Sequence, residues 1–258
     1  MSRLRAKCPD CRTYTAVALG PEYECHSCGR TFQSGLVRVP QAWGDGGEAM
    51  AEAAWLELPL PETGVVEAES LEEQSLALAA DLPERPLVLG GCCCSHVGAV
   101  EGLAARQGRL SLVWLDAHGD LNTPESSPSG NQWGMPLRMI IDSGAVEPED
   151  VVLVGARNLD PPEEEFIRSS GLHTGEEGIP RALDGAGYTY VALDCDVLEA
   201  TQISAFMPEP GGLSRADVER IFRDLRGRTK LLGAGFSGAT FEPANVEPLT
   251  GFLRALGL

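Results

Sequence analysis

The sequence predicts an α/β protein built on a parallel sheet with helices on both faces, preceded by a small cysteine-bearing unit. From Leu36 onward, short runs that are apolar throughout, such as PLVLGG and LSLVWLDA, alternate with stretches of helical periodicity. Strands buried on both faces read as unbroken apolar runs, and parallel neighbours need a crossover of about a dozen residues, usually a helix. The chain has 258 residues, 43% hydrophobic and 22% charged, a globular composition able to bury one large core. Four of its eight cysteines fall within the first 28 residues as two close pairs.

Those pairs, Cys8-Pro-Asp-Cys11 and Cys25-His-Ser-Cys28, stand thirteen residues apart. Two Cys-x-x-Cys turns at this separation can supply four thiolates to one tetrahedral zinc. Gly29 follows the second pair, where the chain can take a positive φ. Between the pairs, TYTAVAL and YEC read as strands of a hairpin closed near Gly20-Pro21. Roughly thirty residues cannot bury enough apolar surface to fold alone, so a metal would supply the folding free energy. Residues 1–35 are therefore read as a zinc ribbon, with Cys8, Cys11, Cys25 and Cys28 holding one structural Zn2+ and His26 a bystander. The nearby basic residues Arg3, Arg5, Lys7, Arg12, Arg30 and Arg38 form only a modest patch, which suits a structural or partner-docking role.

The remaining elements follow in order. LVRV reads as a strand and GGEAMAEAAWLEL as a helix. Pro59 to Glu73 is acidic and proline-containing, as in a surface loop. LEEQSLALAADL is a second helix, PLVLGG a strand, SHVGAVEGLAARQ a helix and LSLVWLDA a strand. After a loop come the helix GMPLRMIIDSG, the strand DVVLVGA and the helix PEEEFIRSSG. The last third gives the strand YTYVALDCD, the helix RADVERIFRDLRG, the strand KLLGAGF and the helix VEPLTGFLRALG.

Charge and apolar patterning exclude several roles. A net charge of −18, from 38 acidic and 20 basic residues, repels nucleic acid and anionic membrane from most of the surface. No apolar run approaches the ~18 residues of a membrane span. MSRLRAKCPDC lacks the apolar stretch of a secretory signal. Eight cysteines in that context fit metal binding or a reducing compartment, so a cytoplasmic location is expected.

Ligands of open α/β sheets bind outside the carboxyl ends of the strands. Four such ends carry unusual polar residues. PLVLGG runs into Cys92-Cys93-Cys94-Ser95-His96, LSLVWL into Asp116-Ala117-His118-Gly119-Asp120, VVLVGA into Arg157-Asn158-Leu159-Asp160, and YTYVAL into Asp194-Cys195-Asp196. Alternate residues of an extended segment project to one side, so Asp116, His118 and Asp120 can converge, as can Asp194 with Asp196. Carboxylates brought that close repel one another unless cations are present. Two divalent ions ~3.5–4 Å apart, sharing bridging carboxylates, resolve the repulsion. Oxygen and imidazole donors favour manganese or another first-row ion. A lone Asp-x-Asp after a strand is commonly a turn or a helix N-cap; the company of DAHGD makes it a candidate ligand pair.

From about Val37 onward the chain resembles the ureohydrolase superfamily, which includes arginase, agmatinase and formimidoylglutamase. The matching residues are Gly90-Gly91, DAHGDLNTP at 116–124, SGNQWGMP at 129–136, DCD at 194–196 and PGGLS at 210–214. The resemblance implies an arginase-like domain over 36–258, a three-layer α/β/α architecture with a central parallel sheet of about eight strands, and trimers or hexamers. It also implies Asp116, His118, Asp120, Asp194 and Asp196 as ligands of two Mn2+ ions. The family's sixth ligand is a histidine two residues after the Gly-Gly pair, where this chain has Cys93. A thiolate there would shift preference towards zinc, iron or cobalt. His96 is the next candidate. Alternatively, Cys92 to Cys94 are small buried hydrophobes and one metal is weak or absent.

The activity implied is hydrolysis of a guanidino or amidino carbon by metal-activated water, releasing urea or an amide. Asp196 would steer the nucleophile and pass its proton to the leaving nitrogen, with Asp120 as the other catalytic aspartate. Asn122, Ser129 and Asn131 match positions that hold an amino acid's carboxylate in arginases, and Asp160 the position that holds an α-amino group. They favour an arginine-like substrate over an agmatine-like amine. Two residues depart from the pattern. Trp133 replaces a histidine proton shuttle and cannot titrate, although an indole can stack on a planar cation. GAGFSGAT at 233–240 lacks the glutamate that pairs with a guanidinium, and Glu242 comes late. A catalytically altered relative with a regulatory or scaffold role, or a C–N hydrolase of a non-guanidine substrate, are the alternatives.

Overall fold

The computed structural model describes residues 4–258, so Arg3 of the basic group lies outside the described residues. Strands β1 (Arg5–Ala6), β2 (Ala16–Leu19), β3 (Glu22–Cys25) and β4 (Thr31–Phe32) form an antiparallel four-stranded sheet in that order. Leu19 pairs with Glu22, so the hairpin closes through Gly20-Pro21, and Gly20 takes a φ of +67° that a side chain would resist. Ala6, Cys8, Ala16, Tyr23, Cys25 and Phe32 make its small core.

The main sheet contains β5 (Gly35–Val39), β6 (Glu62–Val65), β7 (Pro86–Gly90), β8 (Ser111–Leu115), β9 (Val151–Val154), β10 (His173–Thr174), β11 (Tyr188–Asp194) and β12 (Lys230–Ser237). Its eight strands are all parallel, in the order β10-β9-β8-β11-β12-β7-β5-β6. The helices are α1 (Glu48–Ala51), α2 (Leu71–Ala80), α3 (Ser95–Gln107), α4 (Pro136–Asp142), α5 (Pro161–Ser170), α6 (Ile179–Ala182), α7 (Arg215–Arg228) and α8 (Val246–Leu256).

Period-two alternation splits each strand between two cores. Leu87, Leu89, Val113, Leu115, Val191 and Leu193 pack with α7 and α8 through residues such as Phe222 and Phe252. Val88, Leu112, Trp114, Leu153 and Ala192 pack on the opposite face with α2, α3 and α4 through Leu78, Val100, Leu103 and Ile140. The result is the three-layer α/β/α arrangement expected from the continuous apolar strands.

Two local expectations are corrected. GGEAMAEAAWLEL is not one long helix: α1 stops after four residues and a 3-10 turn, Glu52–Trp55, follows. The buried Arg38 guanidinium takes the carbonyls of Ala54 and Leu56, which a continuing helix would need for itself, and it also pairs with Glu62 at 2.6 Å. Pro59 to Glu73 is not simply a loop. It contains β6, the outermost strand, and the first turn of α2, and the half-exposed residues of β6 leave no apolar run to betray it. The small sheet meets the large one there: Lys7 N–H donates to the Glu62 carbonyl at 2.8 Å and Glu62 N–H to the Lys7 carbonyl at 3.0 Å. Arg12 adds a two-pronged ion pair to Glu57, both contacts at 2.7 Å.

Candidate metal centre

Strand order determines which loops meet. β8, β11, β12 and β7 are successive neighbours at the middle of the sheet, so their carboxyl ends deliver Asp116, Asp194, Ser237 and the Gly90–Cys94 turn to one place. Gly91 permits that turn because a Cβ would stand 2.5 Å from the Gln41 carbonyl oxygen. The segment beyond β8 carries His118 and Asp120 inward, and Asp120 adopts a φ of +52°. Left-handed backbone in a non-glycine residue costs on the order of 1 kcal/mol and concentrates at functional sites. Asp196 lies in the 3-10 turn Cys195–Val197 that follows β11.

Two donor groups result. Cys93, Asp116 and Asp120 form one, and Asp116, His118 and Asp196 the other, with the donor atoms of each group within 4.8 Å of one another. Asp116 is common to both. Cys93 Sγ lies 3.0 Å from Asp194 Oδ2 and 3.6 Å from Asp116 Oδ2. His118 Nδ1 is 2.9 Å from Asp196 Oδ2 and 3.5 Å from Asp116 Oδ1. Backbone and ring donors aim the carboxylates: Trp114 Nε1 donates to Asp116 Oδ2 at 3.1 Å, Ala117 N to Asp196 Oδ1 at 3.0 Å, and Asp196 N to Asp194 Oδ1 at 3.0 Å.

All four aspartates are buried, and the electrostatics are those of carboxylates crowded together. Burial, then the charges of Asp116 and Asp194, push Asp120 well above the usual carboxylate range. Burial followed by the charge of Asp196 raises Asp194 to about 7, and burial followed by Asp116 raises Asp196 to about 6. The Cys93 thiol is pushed up by burial and then by Asp194. Burial opposes the charged form of His118, yet its bonds to Asp116 and Asp196 win and push it up to about 12. Asp120 Oδ2 is buried without a hydrogen-bond partner among the described residues. An orphaned carboxylate oxygen beside three further carboxylates is a donor set that fits divalent cations, with Asp116 able to bridge two.

The centre floors a cavity of about 260 Å³. Asn122, Ser129 and Asp160 reach its wall, and Asn122 Nδ2 donates to Asp160 Oδ2 at 2.9 Å. Asn131 does not line it; its Oδ1 accepts from Asp45 N at 3.0 Å and pins that loop instead. Trp133, Phe206, Met50 and Met207 supply an apolar side, with the Trp133 and Phe206 rings edge-to-face at 6.1 Å. Gly238 occupies the late-strand corner, where a Cβ would stand 2.0 Å from Asp194 Oδ1, so no acidic side chain fits there. His96 is withdrawn from the cavity: Nε2 lies 3.2 Å from Ser237 Oγ and Nδ1 3.3 Å from the Tyr190 hydroxyl. Cys92 and Cys94 pack in an apolar cluster with Met50 and Leu71, whereas Cys93 faces the carboxylates.

Two residues beside the site escaped the sequence. Buried Glu163 accepts from Leu121 N and Asp160 N, both at 2.9 Å, and faces the cavity. Its signal was the Asp160-x-x-Glu163 spacing of a helix start. Glu209 lies 3.6 Å from His118 Nε2 and accepts from Asn158 Nδ2 at 3.0 Å; its proline-rich neighbourhood gave no hint.

In the small N-terminal sheet the sulfurs of Cys8, Cys11, Cys25 and Cys28 also lie within 4.8 Å of one another. A bond to the Thr15 hydroxyl at 3.2 Å leads the effects that hold the Cys25 thiol down at about 6, while burial leads those that raise Cys8, so four thiolates could coexist here only around a cation.

The model of the arginase family matches residues 51–237. An arginase of Staphylococcus aureus (strain COL) is 43% identical over 99 residues, 34% of this chain and 33% of the relative, so the matched stretch spans only a third of that protein's length. The native structure of Bacillus caldovelox arginase superimposes with a TM-score of 0.73 at 25% identity, over 86% of this chain and 96% of that one. Formimidoylglutamase of Bacillus subtilis gives a TM-score of 0.68 at 16% identity over 87% of each chain, which is a likeness of fold.

Proposed function

The chain belongs to the arginase family, and we propose that it is a binuclear-metal amidinohydrolase cleaving a C–N bond of a guanidino or amidino compound. The observation that carries this is Asp116 shared between two buried donor groups on the floor of an open cavity. Cys93, Asp116 and Asp120, with Asp194 beside the sulfur, would hold one divalent ion, and Asp116, His118 and Asp196 the other, manganese being the family's usual metal. When bound, such a pair supplies Lewis acidity and a nucleophile at neutral pH.

The chain's own groups do the rest. Asp196 is held at one oxygen by Ala117 N and at the other by His118, so it can take a proton from the attacking water and deliver it to the leaving nitrogen. Asp120 is the second catalytic carboxylate. Asn122, Ser129, Asp160 and Glu163 form a polar wall suited to a zwitterionic head group, and Asn131 stands outside it. The ribbon at 1–35 would hold one structural zinc, and 36–258 would be the hydrolase domain. We place the protein in a reducing, cytoplasmic compartment as a homo-oligomer. Among the described residues no helix is long and apolar enough to cross a membrane.

Gly238, Trp133 and Phe206 favour a second reading, a C–N hydrolase whose substrate lacks a free guanidinium, since no carboxylate can stand at that corner. The experiment is product analysis of the manganese-loaded protein on arginine, agmatine, other guanidino acids and formimino compounds. Urea from a guanidino acid supports the first reading and a formamide-type product alone the second. No turnover with both ions bound would point to a regulatory or scaffold protein.

A further inference from the structure

Resting on the binuclear reading above, we infer that the two metal positions are chemically unequal: Cys93 makes one a thiolate site for a zinc-class ion, while the other keeps the oxygen and imidazole donors that manganese accepts.

The partition follows from where each donor lies. The sulfur of Cys93 is surrounded by oxygens, with Asp194 Oδ2 at 3.0 Å, Ser237 Oγ at 3.1 Å and Asp116 Oδ2 at 3.6 Å. Cys93 shares the apolar packing of its neighbours Cys92 and Cys94, and what sets it apart is the three side-chain oxygens within reach of its sulfur. The imidazole of His118 belongs to the other group, against Asp196. His96 cannot replace it on the sulfur side. Its ring is wedged against Gly235, where a Cβ would stand 2.3 Å from Nδ1, and its nitrogens are engaged by Ser237 and Tyr190. Ser237 thus bridges His96 and Cys93, which positions the thiol against the carboxylates.

Thiolates select zinc, iron(II) or cobalt over manganese, whereas carboxylate and imidazole accept manganese readily. A cysteine ligates as the thiolate, so the ion that binds there must displace the thiol proton, and a strong thiolate binder does so best. The centre therefore holds one tightly retained soft ion and one exchangeable hard ion.

The test uses the full chain. Protein loaded with zinc and then dialysed against excess manganese should retain about two zinc ions per chain, the ribbon's and the sulfur site's, and about one manganese; Cys93→His should retain about one zinc, a twofold drop. With cobalt(II) as the probe in all sites, the near-ultraviolet thiolate-to-cobalt absorption of Cys93→Ser should fall by about a fifth, from five thiolates to four, while Cys94→Ser leaves it unchanged. X-ray absorption of the wild-type cobalt form needs no variant: about five sulfur neighbours shared over three ions support the assignment, and about four overturn it. Equal metal content with equal absorption in wild type and Cys93→Ser overturns the inference and leaves the binuclear reading standing. A wild-type chain that binds only the ribbon's ion overturns the binuclear reading itself.

Discussion

Gly238 and Gly119 mark how little room the carboxylates leave. A methyl at Gly238 would press on Asp194 from a backbone φ of +71°. Gly238→Ala should therefore lower stability by about 1–3 kcal/mol in chemical denaturation. A Cβ on Gly119 would stand 2.6 Å from Glu163 Oε1, so that glycine of DAHGD serves a carboxylate over forty residues away in sequence. Asp120→Asn separates function from stability. It relieves repulsion among buried carboxylates, so the metal-free protein should gain about 1 kcal/mol, while affinity for one of the two ions falls at least tenfold. Thermal melts with and without metal, beside equilibrium dialysis, check both signs. The i, i+2, i+4 spacing of Asp116, His118 and Asp120 was legible because one segment carries all three. Glu163, in the first turn of α5, and Glu209, in the segment before α7, were not, because their parts of the chain meet the site only on folding.

Among the elements, α7 is the clearest product of its sequence. Val218, Ile221, Phe222 and Leu225 recur at helical spacing and are buried, and Ser214 with Asp217 closes the N-terminus reciprocally at 3.1 and 3.3 Å. Ser214→Ala should cost about 1 kcal/mol by denaturant titration. Strands β7, β8, β9, β11 and β12 were legible as apolar runs because both faces are buried. β6 and β10 were not, since their residues are half-exposed and strand identity comes from the neighbour they pair with. The segment GGEAMAEAAWLEL was misread for a different reason: a distant guanidinium, Arg38, outcompetes the helix for its own carbonyls. Chelating the ribbon's metal should melt β1–β4 and release the Lys7 and Glu62 amides. Their hydrogen exchange then accelerates by orders of magnitude, while the amides of β8 and β11 stay protected.

For the whole molecule the dominant quantity is charge. At −18 the protein draws cations towards a cavity floored by aspartates. If its substrate is cationic, kcat/KM should fall several-fold as ionic strength rises from about 0.01 to 0.15 M, whereas a zwitterionic or neutral substrate responds weakly. The strand order β10-β9-β8-β11-β12-β7-β5-β6 was beyond the reach of periodicity, which identifies strands but not their neighbours. The contact between Lys7 and Glu62 has a further meaning at this scale. An open sheet ends in a row of unpaired peptide groups that invite another chain to add a strand, and β10, only two residues long, offers little on its side. On the other side β6 is longer, and the ribbon closes over it. Zinc would then act as a guard against aggregation. Stripping the ribbon's zinc would uncover β6 as an edge open to strand addition by another chain.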